Sequence, residues 1–178
     1  MPIFPYKNKS PRIASSALVL PGADVIGDVE IGDDASIWFG TVIRGDVNFI
    51  RIGDETNIQD RCVVHVTVEK HPTVIGDRVT VGHGVILHGC RVEDTCLIGI
   101  GSIVLDAAVI GRQSFVAAGS LVTPRTVIPP GSLVMGRPAA VKRPLTPAEI
   151  DDLAESAKRY VKYAAGYREY LAERQDLR

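Results

Sequence analysis

The sequence predicts an all-β solenoid, a parallel β-helix finished by one C-terminal α-helix. Three observations carry this. An aliphatic residue recurs every six positions from Val25 to Val134, with the register broken in only three places. Turn-forming residues follow many of these anchors, as in IGDDAS, IGDETN, IGDRVT and IGRQSF. Thr-Pro-Ala-Glu at residues 146–149 then opens a stretch of three-and-four apolar spacing. A six-residue period matches neither the 3.6 of a helix nor the two-residue alternation of hairpin strands. It matches short strands that meet at corners, each coil stacking on the one before at roughly 4.8 Å.

Composition fits that architecture. With 178 residues the chain can hold one domain and an appendage around a real core. Aromatic residues are only 6%, so the core must be thin and filled by Val, Ile, Leu and Ala. Twenty basic residues balance 21 acidic ones to a net charge of −1, which argues against nucleic acid or an anionic membrane as the main partner. The three cysteines are odd in number and form no C-x-x-C, so a disulfide framework is not expected. Cys62 and Cys90 read as small core or corner residues. The N-terminus, MPIFPYKNKSPRI, has no basic stretch leading into an apolar one, and no run of about 18 apolar residues occurs. The expectation is a cytoplasmic protein.

Taken in order, residues 1–24 are predicted to cap the open end of the solenoid. The solenoid spans 25–140. Its anchors are Val25, Ile31, Ile37 and Ile43, then Ile52, Ile58 and Val64, then Ile75, Val81 and Leu87. The series resumes at Val92 and runs through Ile98, Val104, Ile110, Val116, Val122 and Ile128 to Val134. Gly and Asp after the anchor are read as corner formers. The breaks are an insertion of three residues between Ile43 and Ile52, one of five between Val64 and Ile75, and a deletion of one between Leu87 and Val92. Loops let into a rigid repeat are where function concentrates. GRPAAVKRPL is a Pro-rich exit, and residues 146–174 are predicted helical. Thr146 suits the N-cap, Pro147 the first turn, and Glu149 completes a capping box. Ile150, Leu153, Ala157, Tyr160 or Val161, and Ala164 form an apolar stripe for the solenoid or a neighbouring subunit, with Lys158, Arg159 and Lys162 toward solvent.

The register also places the histidines. His65 follows the anchor Val64 and His88 follows Leu87, 23 residues apart: one 18-residue coil plus the five-residue insertion. Arg44 follows Ile43, one coil plus three residues earlier. Arg44, His65 and His88 therefore form one outward column. His83 stands two after Val81, in a second column with Asp60, which stands two after Ile58. A corner separates the columns within one chain. A neighbouring subunit could bring its His83 to the His65/His88 face, and closed threefold symmetry would make three such sites.

Arg44-Gly-Asp46, Asn57-Ile-Gln59-Asp60, His65 and Gly82-His83-Gly84 through His88 resemble the γ-class carbonic anhydrases, over nearly the whole chain. The resemblance implies a left-handed β-helix, a homotrimer, and a catalytic zinc, or iron, held by His65 and His88 of one subunit and His83 of the next. It implies reversible hydration of CO2 to bicarbonate by a zinc-bound hydroxide, a site type with three imidazoles and one open position. Arg44 and Asp46 would pair near the interface, Gln59 and Asp60 would order water, and Tyr160 could reach the neighbouring site from the helix. Val47 follows Asp46, and the short loop VTVEKHPT offers only Glu69 and His71 as titratable groups. That is the pattern of a short-loop subgroup, many of whose members hydrate CO2 weakly. The alternatives are a hexapeptide acyltransferase using CoA, a non-catalytic metalloprotein, and thioester hydrolysis at the same centre.

Overall fold

A computed structural model describes residues 3–173. The described residues wind into a left-handed parallel β-helix of about seven turns followed by one helix, Pro147–Glu173; position 174 of the predicted helix lies outside them. Each coil contributes one short strand to each of three faces. On the first face the strands Val42–Ile52, Val63–His65, Ile86–His88, Ile103–Val104 and Leu121–Val122 pair in parallel. The second face runs through Thr73–Ile75, Arg91–Val92, Val109–Ile110 and Val127–Ile128. The third runs from Leu18–Val19 through Ser36–Ile37, Asn57–Ile58, Thr80–Val81, Leu97–Ile98 and Phe115–Val116 to Ser132–Gly136.

Every anchor from Val25 to Val134 points inward and belongs to one continuous core. Burying β-branched side chains in stacked, identical positions supplies the main stabilisation, roughly 1.5–3 kcal/mol per fully buried residue. Cys62, Cys90 and Cys96 are buried free thiols, each pushed up to about 12 by burial.

The glycine of the I-G-D units has a different job from the one its sequence suggests. Gly32, Gly53 and Gly76 do not take left-handed backbone; Asp34, Glu55 and Arg78, two residues later, do. The glycine makes room instead. A Cβ on Gly53 would lie 2.2 Å from Asp77 Oδ1 and 2.6 Å from the Gly76 carbonyl carbon. That carboxylate must come close because it accepts the backbone N–H of Asp54 at 2.9 Å. Asp54 does the same for Asp33, and Asp94 for Asp77, at 2.8 and 3.0 Å. A column of carboxylates thus satisfies corner N–H groups from coil to coil. Gly53→Ala is expected to cost about 1–3 kcal/mol by overpacking. In thermal unfolding that is a midpoint lowered by about 2–4 °C per kcal/mol.

At the first end, Ile3–Phe4, Arg12–Ile13 and Leu18–Val19 pair in parallel with the next coil. This segment therefore stacks on the solenoid in register. At the other end, the Pro-rich exit forms a strand, Ala139–Pro144, antiparallel to Ser132–Gly136. Thr146 and Glu149 make the capping box: Glu149 Oε2 accepts the Thr146 N–H at 2.8 Å, and Thr146 Oγ1 accepts the Glu149 N–H at 3.3 Å. The helix lies over the third face, where Leu153, Ser156, Ala157 and Ala164 are buried. Trp38 anchors it, with Tyr160 and Tyr167 edge-on to the indole at 5.3 and 5.2 Å. Among the described residues no helix is long and apolar enough to cross a membrane.

Candidate metal centre

The two histidine columns stand where the register puts them. His65 and His88 are direct ladder partners on adjacent coils of the first face. Their rings lie 5.1 Å apart, with His65 Nδ1 3.2 Å from His88 Nε2. Ile43 pairs with Val64 in the same ladder, so Arg44 precedes His65 by one coil. Asp46 links the two: it pairs with Arg44 through one oxygen and meets His65 Nε2 at 3.1 Å through the other. Burial opposes ionisation of Asp46, yet Arg44 and His65 hold its carboxyl below the usual range. Burial pushes the His65 imidazole down, and Arg44 and His88 add to this against the pull of Asp46.

His83 sits around the corner with Asp60, its Nδ1 2.8 Å from Asp60 Oδ2. The backbone locks this pair, because the Gly84 N–H donates to the Asp60 carbonyl at 2.9 Å. Gln59 is buried beneath the helix, and its amide nitrogen donates to Asn57 Oδ1 at 3.1 Å. Tyr160 shares a cavity of about 690 Å³ with Asp60, His83 and Trp38. Burial raises the Tyr160 phenol, and Asp60 raises it further. Glu69 and His71 lie on the inserted loop, outside both columns.

Register reasoning missed Asp106. Its Oδ1 meets His88 Nδ1 at 2.5 Å, and burial is again overcome, here by His88 and Thr67, to keep this carboxyl low. The spacing carried a signal, since Asp106 lies 18 residues after His88. The deletion after Leu87 moves it one place past the histidine column, onto a corner, where it reads as a turn residue.

Each imidazole thus has a carboxylate on one nitrogen. A carboxylate accepts, so it selects the tautomer with the proton on the nitrogen it faces. His65 then keeps its N–H at Nε2, and His88 keeps its own at Nδ1. The facing atoms, His65 Nδ1 and His88 Nε2, are then both lone pairs, a repulsive contact that a cation between them would turn into attraction. Two nitrogens bound to one tetrahedral cation at about 2.0–2.1 Å lie about 3.3 Å apart, close to the separation here. The residues therefore fit a metal. Among the described residues no three His, Cys, Asp or Glu side chains of the single chain converge on one point. His83, with its Nδ1 on Asp60, offers Nε2 outward from the neighbouring corner.

Comparison with known proteins places the chain. Residues 10–45 match the family model described as bacterial transferase hexapeptide (six repeats). The carbonic anhydrase of Geobacillus kaustophilus is 49% identical over 172 residues, covering 97% of this chain and 94% of that protein. The mitochondrial γ carbonic anhydrase 1 of Arabidopsis thaliana is 47% identical over 165 residues. That match covers 90% of this chain, but the chain spans only 60% of the plant protein's length. The crystal structure of a hexapeptide transferase family protein from Anaplasma phagocytophilum superimposes with a TM-score of 0.90 at 46% identity, covering 93% of this chain and 98% of that one. Full-length similarity to curated carbonic anhydrases, together with the two histidine columns, makes this chain a member of the γ-class carbonic anhydrase family.

Proposed function

We propose that the chain reversibly hydrates CO2 to bicarbonate in a homotrimer, with a metal at each subunit interface. His65 and His88 of one subunit and His83 of the next hold it. Zinc is the first choice, since three imidazoles with an open position suit it, and iron the second. The observation that carries this reading is the 3.2 Å approach of two imidazole nitrogens, each backed by a carboxylate.

A second feature supports the trimer. The outward residues beside the histidine column are aliphatic: Val42, Val63, Ile86, Ile103 and Leu121. Val63 and Ile86 are 40% and 37% exposed, and Ile100, on the corner with His83, is 57% exposed. Such a contiguous apolar band is a natural subunit contact.

The metal, when bound, lets water supply a nucleophilic oxygen near neutral pH. The chain's own residues do the rest. Asp46, held by Arg44, orients His65, and Asp60 orients His83. Asp60 and Tyr160 line the cavity beside His83, where they order water and substrate. Gln59 is held by Asn57, which in turn donates to Thr80 Oγ1 at 3.1 Å. In stopped-flow CO2 hydration, the purified metal-loaded protein should be active and His83→Ala inactive. Metal-loaded protein without hydration activity would reduce the reading to a metalloprotein. Metal-free protein that transfers acyl groups from CoA would favour the transferase reading that the hexapeptide description suggests.

A further inference from the structure

The five-residue insertion between Val64 and Ile75 is tied to the histidine column through one carboxylate. Asp106 lies at the corner after the strand Ile103–Val104. Its Oδ1 meets His88 Nδ1 at 2.5 Å, and its Oδ2 accepts from Thr67 Oγ1 at 2.7 Å. Thr67 begins the inserted loop, which closes on itself where the Thr67 N–H donates to the His71 carbonyl at 2.9 Å. The approach needs Gly89. A Cβ there would stand 2.6 Å from Asp106 Oδ1 and 3.0 Å from His71 Cβ, on backbone with φ of +57°.

We propose that Asp106 is the positioning residue for His88. By accepting a hydrogen bond from the Nδ1–H it leaves the Nε2 lone pair as the ligating atom toward His65, and through Thr67 it clamps the inserted loop beside that ring. This rests on the metal reading of the three histidines. Carboxylates behind metal-binding imidazoles fix the ring and raise its basicity, and losing one typically costs 10–100-fold in metal affinity.

Zinc affinity of the intact protein, measured by competition with a chromophoric chelator, tests this without recourse to turnover. Asp106→Ala should bind zinc about 10–100-fold more weakly than the unaltered chain. Asp106→Asn keeps an acceptor for the Nδ1 proton and should recover part of the loss. Asp94→Ala is the structural control. It removes the carboxylate that holds the Asp77 N–H, far from any histidine, so it should lower the unfolding midpoint and leave zinc affinity unchanged. Unaltered affinity in Asp106→Ala, or an equal loss in Asp94→Ala, would overturn the role of Asp106 and leave the metal reading standing. An unaltered chain that binds no zinc would overturn both.

Discussion

The His88→Ala chain is expected to keep its fold and lose its metal. His88 stands outside the anchor core, so truncating it opens no cavity among the stacked aliphatic residues. On the proposed metal reading it does remove one of three ligand nitrogens. Because outer carboxylates alone are worth 10–100-fold, loss of a ligand should weaken binding by at least about 100-fold. Metal content of the purified protein should fall from about one per chain to a small fraction. His71→Ala is the contrast: His71 lies in neither column, and its loss should leave the metal in place. Metal retention should also depend on pH in a definite direction. Protons compete for the same lone pairs, and the His65 imidazole is pushed below its ordinary value of 6.5, first by burial. Proton competition at His65 therefore strengthens as pH falls and needs more acid than at an ordinary imidazole. A metal-release titration checks both the sign and the range.

Much of this was legible in the sequence, because a solenoid turns spacing into position. Every anchor from Val25 to Val134 proved to be core, and the pairing of His88 with His65 followed from counting residues along the coil. The parts that were not legible depend on contacts between coils or on the helix. The I-G-D glycine looked like a corner former; its reason is the carboxylate of the following coil, which no local pattern reveals. Asp106 escapes the register because the one-residue deletion sets it off the histidine column, and only the folded corner brings it onto His88. Gln59 looked like a water-ordering group. It is buried, and its amide nitrogen donates to Asn57 Oδ1, a contact between side chains that the spacing does not reveal.

The second large effect concerns where the site is built. His65→Ala and His83→Ala should each be metal-free alone, for different reasons: one lacks a ligand on the first face, the other lacks the ligand a neighbour presents. Neither defect disturbs the other column. A trimer containing both variants should therefore hold an intact site wherever the His83→Ala subunit supplies its His65 and His88 to the His83 of a His65→Ala subunit.

Metal content of such mixed trimers, made by co-expressing the two variants under different tags, tests the shared site most directly. Around a closed threefold ring every mixed trimer, two-to-one or one-to-two, has one interface in three that joins the required faces, so metal and hydration activity of the mixed trimers should return to about a third of the unaltered level. Mixed trimers as empty as either variant alone would contradict a centre shared between subunits.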